Sequence, residues 1–444
     1  MEAQTEIEAA PLAPLASDDV DDSRWSTPKR VAFRFFFVYL GLYFFPFPLS
    51  VIPYENPLTT KYEDLWNIII VWTGKHILHL SYDITIRPNG SGDTTWNYVQ
   101  ILCMAALAIA ATIMWSVLDS RRPAYPKLYQ WLRLFVRLNL AAALFTYGFA
   151  KAIPLQMPSP MLSTLLEPYG ESSPMGLLWT FIGASRPYEI FTGLAEVAGG
   201  LLLILPRTAA LGALIGIADM LQVFMLNMCY DVPVKLYSFH LLLLGLFMIA
   251  PDLGRLGNLF FRGRQAELSK MPPLFKKPAF NTAAVVVQIL FALYLIGAGL
   301  AGGYSGAKQY GFLAPKPPLY GIWSVDEFTV DGQIRPPLID DDTRWRRVIF
   351  DRFPGALGVQ LTSGTRQRFR IQVDTDKKTI QFTKREDPNA KSDFTYEEPG
   401  KDQMTLAGNL DGHQIQARLH KTDEGNFLLM SRGFHWINEV PYNR

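Results

Sequence analysis

The fold is decided by residues 186–252, which read RPYEIFTGLAEVAGGLLLILPRTAALGALIGIADMLQVFMLNMCYDVPVKLYSFHLLLLGLFMIAPD. Three apolar segments follow one another there with almost no loop between them. A helix needs about 20 apolar residues to cross a hydrocarbon core of roughly 30 Å. Each segment meets or approaches that length, so the stretch predicts three consecutive membrane spans. Each segment also carries polar residues, which are costly in lipid and mark candidate functional groups.

The composition of the 444-residue chain is that of a membrane protein. Hydrophobic residues make up 49% of it and charged residues 18%, against about 25% charged in soluble domains. The net charge of +2 argues against a nucleic-acid partner. The two cysteines, Cys103 and Cys229, both lie in apolar runs. They predict buried structural thiols and argue against disulfide, CxxC and iron–sulfur chemistry.

Seven spans are predicted in all. Residues 1–28 are acidic and lack the features of a signal peptide, so we expect a disordered tail. Residues 65–80 are amphipathic and too short to span, which fits an interfacial or re-entrant helix. The proline-rich segment 154–187 is expected to be a loop. The predicted spans form a transmembrane domain over 29–303 and cover residues 31–45, 97–118, 131–153, 188–205, 208–229, 233–250 and 282–303.

Loop charges predict the orientation of these spans. With seven spans the basic residues of the loops fall on one side, at Lys29, Arg30, Arg121, Arg122, Lys127, Arg207, Arg255, Arg262, Arg264, Lys270, Lys276 and Lys277. The positive-inside rule then places the N-terminus in the cytoplasm and the C-terminus outside. We expect a multi-pass protein of the cell inner membrane with a periplasmic C-terminal domain.

The composition changes after Tyr304. Short alternating runs separated by turn residues recur at about the spacing that is typical of all-β barrels and sandwiches. The runs cover residues 320–328, 344–351, 357–363, 368–374, 378–384, 393–398, 403–410, 413–421 and 427–433. The fold class is therefore a mainly α membrane protein with a C-terminal all-β barrel or sandwich at 304–444. Gly321-Ile322-Trp323 resembles the G-x-W that opens lipocalin-type barrels.

Helical spacing places the intramembrane polar residues on defined faces. The fourth span carries one such face, formed by Glu189, Thr192, Gly193, Glu196, Gly199 and Gly200. Its glycines predict the close approach of a neighbouring helix. The fifth span has Gly212, Gly216, Asp219 and Asn227 on or near one face, with Gln222 beside it, and the third has a stripe of Arg133, Arg137, Tyr147 and Lys151.

Depth along the spans brings several of these groups to the outer half of the bundle. Catalytic or proton-exchanging candidates for one polar pocket are Glu196, Asp219, His240 and Lys151. Candidate binding residues are Tyr147, Glu189, Gln222, Asn227 and Trp179, with Trp179 and Phe181 expected at the pocket mouth. Metal is not expected, because His76 and His79 have only Asp83 near ligand spacing.

Structural interpretations of the same residues stay open. Lys151 and Lys235 can snorkel to the interface, and Glu189 can be an N-terminal helix carboxylate in the headgroup layer. Glu196 and Asp219 can belong to structural ion pairs, and His240 can be a hydrogen-bonded core histidine.

A family resemblance rests on residues of the third to fifth spans. The chain has YGFAK at 147–151, then Glu196-x-x-Gly199-Gly200-Leu-Leu-Leu and a Pro-Arg turn. This pattern resembles the DoxX/DoxD-like membrane proteins, which implies a four-helix core at about 131–252. The family is linked to quinone-coupled sulfur oxidation and membrane redox homeostasis. By resemblance, its Lys and Glu positions correspond to Lys151 and Glu196.

Three functions are compatible with these observations. The first is a quinone-linked membrane redox component, whose electrons come from a partner or substrate because no flavin, haem or iron–sulfur motif is evident. The second is a ligand-binding or transport protein whose β-domain captures an apolar or peptide ligand. The third is a membrane assembly factor without chemistry. The expected partners are the lipid bilayer, a quinone, and a membrane or periplasmic protein.

Overall fold

A computed structural model describes residues 24–52, 57–86, 89–265, 273–387 and 389–443. Most of the predicted tail lies outside these residues, and the first helix already begins at Thr27. The helices are α1 (Thr27–Phe44), α2 (Pro57–His76), α3 (Thr95–Leu118), α4 (Pro126–Ala152), α5 (Leu162–Leu165), α6 (Pro174–Gly183), α7 (Arg186–Ile204), α8 (Ala209–Cys229), α9 (Lys235–Ile249), α10 (Leu253–Phe260), α11 (Pro278–Gln309) and α12 (Leu428–Ser431).

Seven helices of the described residues are long and apolar enough to cross a membrane. They are α1, α3, α4, α7, α8 and α11, together with α9, whose span continues through α10. Each corresponds to one predicted span. The proline-rich segment between α4 and α7 is not only loop, since it contains α5 and α6. Ser173 caps α6 by accepting a hydrogen bond from the Gly176 amide at 3.0 Å, and Pro174 opens the helix.

The chain divides into two compact units. The first comprises the chain up to Ala143 together with Gly199–Phe224 and Pro233–Ala292. The second comprises Leu144–Ala198, Met225–Val232 and Leu293–Arg444.

Polar contacts join the helix ends of the first unit. Asp93 accepts hydrogen bonds from the Lys235 and Leu236 amides at 2.8 and 2.9 Å, at the beginning of α9. Thr94 forms a capping box with Asn97 at the beginning of α3. At the other end of α3, the buried Arg34 donates to the Asp119 carbonyl oxygen at 2.9 Å.

Glycines set the helix crossings of the second unit. Gly148 on α4 and Gly193 on α7 face each other, and a Cβ at Gly193 would overlap the backbone of Gly148 and Ala152. The prediction that the polar face of α7 accepts a close neighbour is therefore confirmed at Gly193. Helix α11 approaches α4 in the same way, with Gly299 against the Phe149 ring.

The C-terminal domain is a closed antiparallel β-barrel. Its strands are β1 (Gly321–Val330), β2 (Gln333–Ile334), β3 (Trp345–Phe350), β4 (Ala356–Leu361), β5 (Arg366–Asp374), β6 (Thr379–Lys384), β7 (Lys391–Gly400), β8 (Gln403–Leu410) and β9 (His413–Thr422). All but β2 follow one another around the barrel in chain order, and β1 pairs with β9 to close it. Closure leaves these strands no long unpaired edge.

Aromatic side chains fill the interior of the barrel. Trp345, Phe328, Phe382 and Phe394 are each at most 1% exposed, and the Phe382 and Phe394 rings stack at 4.4 Å. Trp323, in the predicted G-x-W, donates its indole N–H to the Leu319 carbonyl oxygen at 2.8 Å.

The prediction of a last strand at 427–433 is wrong. Its residues form the short helix α12 instead. The run FLLMS is continuous rather than alternating, and the pairing of β1 with β9 already satisfies the barrel hydrogen bonds.

Candidate functional site

A buried ion pair joins α4 to α7. Lys151 Nζ lies 2.6 Å from Glu196 Oε1, and the two side chains are 8% and 3% exposed. The close crossing at Gly148 and Gly193 brings the two helices together one turn away from each partner. Lys151 is therefore held inside the protein and does not extend to an interface.

The surroundings of the pair contain further polar groups. Lys151 Nζ lies 5.8 Å from the centre of the half-buried Tyr147 ring. The second oxygen of Glu196, Oε2, is buried and has no hydrogen-bond partner among the described residues. A buried carboxylate oxygen without a donor is energetically costly, so it marks a position for a proton or a ligand donor.

Glu189 lies two turns before Glu196 on the same face of α7 and is fully buried. Its Oε1 accepts a hydrogen bond from the Met157 amide at 2.9 Å. The carboxyl group therefore holds the chain that leaves α4, an arrangement different from an exposed headgroup carboxylate. No sequence pattern indicates this contact, because Met157 is an ordinary loop residue.

His240 is a buried histidine of the first unit with both ring nitrogens in use. Nδ1 lies 2.6 Å from the Leu236 carbonyl oxygen and Nε2 lies 2.7 Å from the Tyr39 hydroxyl. A carbonyl oxygen only accepts, so Nδ1 carries the proton and Nε2 accepts from Tyr39. The Tyr43 ring stacks on the imidazole at 3.8 Å. These contacts match the structural interpretation of His240.

The remaining candidate site residues differ in how far they are buried. Asp219 on α8 is half-buried, Gln222 is exposed and Asn227 is buried. Trp179 on α6 is half-buried, and Phe181 is 62% exposed. Asp219 and His240 belong to the first unit, and Lys151 and Glu196 to the second. One pocket shared by all four stays a prediction.

Other polar residues have structural roles. Lys235 lies 3.8 Å from Asp93 in an ion pair. His76 stacks on Trp72, and its Nδ1 lies 3.0 Å from the Trp72 carbonyl oxygen. Within the described part of the chain, no group of three or more His, Cys, Asp or Glu side chains is placed to hold a metal ion. Cys103 is buried, but Cys229 at the end of α8 is exposed, so the expectation of two buried thiols is wrong for Cys229.

A contact that the sequence did not indicate fixes the loop after α4 to the barrel. Asp351, at the end of β3, is 7% exposed. Its carboxylate accepts hydrogen bonds from the Ser163 amide at 3.0 Å, the Ser163 hydroxyl at 2.8 Å and the Leu162 amide at 3.3 Å. Apolar packing of Leu162 against Ile322 and Ile349 continues the contact.

The seven helices and the closed barrel define a multi-pass membrane protein with a C-terminal β-barrel domain. The chain is 32% identical over 133 residues to the uncharacterized protein YwoB of Bacillus subtilis (strain 168), and the match covers 79% of that protein and 28% of this chain. The chain therefore belongs to the same family as YwoB. No protein-family model matches the chain, and no solved structure matches it.

Proposed function

We propose that this protein is a quinone-linked redox component of the cell inner membrane, similar to the DoxX family. The observation that carries the proposal is the buried Lys151–Glu196 pair with its unpartnered carboxylate oxygen. Ionisable groups inside a membrane bundle are costly and are generally retained for proton or ligand exchange.

The donor and acceptor chemistry of the pair fits the head group of a quinone. The Lys151 ammonium donates hydrogen bonds, which suits a quinone carbonyl oxygen, and Glu196 Oε2 accepts, which suits a quinol hydroxyl. Conversion of quinone to quinol takes up two electrons and two protons. In this proposal a partner redox protein or a reduced substrate supplies the electrons, and Glu196 exchanges protons with the ring oxygen.

Contacts within the second unit support the proposed topology. The loop that leaves α4 and the barrel that follows α11 touch through Asp351 and Ser163. This contact favours the same side of the membrane for both. With basic residues concentrated in the opposite loops, that side is the periplasm and the N-terminus is cytoplasmic.

The test is quinone binding by the full-length protein in detergent. The Glu196→Gln variant preserves the shape of the side chain and keeps one hydrogen-bond acceptor, but its amide group cannot titrate. We expect it to elute as the wild type does and to lose about tenfold or more in affinity for a short-chain quinone, because a hydrogen bond to a charged acceptor contributes roughly 1.5–3 kcal/mol. Glu171→Gln, at an exposed residue of the loop before α6, is the matched control. Equal quinone binding by wild type and Glu196→Gln would contradict the proposal.

A second candidate is a ligand-binding, transport or assembly protein that acts through the barrel. The observation that favours it is the Asp351 contact, by which the barrel holds the loop after α4. Because aromatic side chains occupy the barrel interior, a captured ligand would bind outside it. If Asp351→Ala abolishes copurification of a partner protein while quinone binding is unchanged, the second candidate is favoured.

A further inference from the structure

A cavity of about 290 Å³ opens at one end of the barrel. The beginning of β1, the end of β9, the β7–β8 turn and the linker before β1 surround it. Six of the lining residues carry its chemistry, namely Lys316, Tyr320, Trp323, Glu398, Lys401 and Lys421. The lining carries three ammonium groups and one carboxylate. A second carboxylate, Glu424, lies 3.9 Å from Lys316 Nζ. The cations still outnumber the carboxylates by one, which suits the cavity to an anion.

Aromatic rings support two of the lysines. Lys316 Nζ lies 4.4 Å from the centre of the Tyr320 ring, and Lys421 Nζ lies 5.7 Å from that of Trp323. The absence of a Cβ at Gly321 lets the Lys421 stem cross the β1 backbone, since a Cβ there would overlap its Cε. Burial, with a smaller effect from Glu424, raises the pKa of Tyr320 to about 12. The phenol therefore stays neutral at physiological pH, and its hydroxyl donates to the Glu424 carboxylate.

The cavity lies at the end of the barrel that is joined to the membrane helices. Lys316 comes seven residues after Gln309, the last residue of α11, and seven residues span at most about 25 Å. The β3–β4 turn at the same end carries Asp351, which binds Ser163 ten residues or so after the end of α4. The three lysines are thus within reach of the headgroup layer.

We propose that this cavity binds the phosphate of an anionic phospholipid headgroup. The lysines supply charge and hydrogen bonds for the phosphate oxygens, and the half-buried Pro317 and Leu319 provide apolar surface for the glycerol backbone. A free phosphate offers the same oxygens without the apolar part. The barrel would thereby be held against the membrane surface, independently of any quinone chemistry.

The test compares lipid binding by the full-length protein in mixed micelles. Labelled phosphatidylglycerol, labelled phosphatidylcholine and inorganic phosphate are titrated separately. A basic residue near an anionic surface contributes roughly 1 kcal/mol. We therefore expect Lys316→Gln, Lys401→Gln and Lys421→Gln each to weaken phosphatidylglycerol binding about fivefold. Phosphatidylcholine should bind weakly to every variant.

The matched control is Lys377→Gln. Lys377 lies in the turn after β5, at the same end of the barrel but outside the cavity, and is 79% exposed. The Lys377→Gln variant should bind phosphatidylglycerol as the wild type does. Equal losses for Lys377→Gln and the cavity variants, or no loss in any variant, would overturn the proposal. Inorganic phosphate that binds as tightly as phosphatidylglycerol would overturn the lipid assignment. Unchanged thermal unfolding of each variant shows that a loss does not come from misfolding.

Discussion

Lys151→Met removes the cation of the buried pair and leaves Glu196 without its partner. The two charged groups lie 2.6 Å apart and are almost fully buried, so water cannot easily replace the missing ammonium. Removing one member of such a pair costs roughly 3–5 kcal/mol, whereas replacing both with apolar residues is often neutral. We expect Lys151→Met and Glu196→Leu each to lower the free energy of unfolding by about 3–5 kcal/mol, and the double variant to regain most of that loss.

The assay is denaturant unfolding of the full-length protein in one detergent, followed by tryptophan fluorescence. Lys384→Met is the matched control, because its Nζ lies 2.7 Å from Asp411 Oδ2 and the two side chains are 35% and 57% exposed. A partly exposed pair of that kind contributes less than about 1 kcal/mol. The reasoning would be refuted if Lys151→Met cost no more than Lys384→Met, or if the double variant lost the sum of the two single losses.

Three further predictions concern packing, topology and pH. Gly193→Leu should abolish the monodisperse gel-filtration peak, because its side chain would enter the α4 backbone, while Gly302→Leu, which meets open space, should be tolerated. Reporter fusions after Asp252 and after Tyr304 should report opposite sides of the membrane, and the same side for both would remove α11 as a span. Hydrogen bonds from Thr343 hold the pKa of Asp341 below its ordinary value of 3.8. Asp341→Asn should therefore destabilise the protein above about pH 5. The stability difference between wild type and variant should shrink as the pH falls below 3.8 toward the folded-state pKa. Acid unfolding curves of the two proteins measure this difference.

The sequence by itself determined the seven spans and all the barrel strands except β2. Span number and approximate bounds followed from runs of apolar residues, because a bilayer sets a minimum helix length that composition can satisfy or fail. The strands of the barrel followed from period-two alternation, and the failure at 427–433 came where that alternation is absent. The small helix α6 was missed although Ser173-Pro174 is a helix-start signal, because prolines dominate the segment around it.

Only the tertiary structure decided which side chains meet. Helical spacing put Glu196 and Gly193 on one face of α7, but the choice of Lys151 as partner depends on how α4 crosses that face. The same holds for Asp351, whose partners Leu162 and Ser163 lie nearly two hundred residues earlier in the chain. Periodicity is a local property and fixes the direction of a side chain relative to its own helix or strand. The contact between two elements depends on their crossing and register, which long-range packing sets and no local pattern encodes.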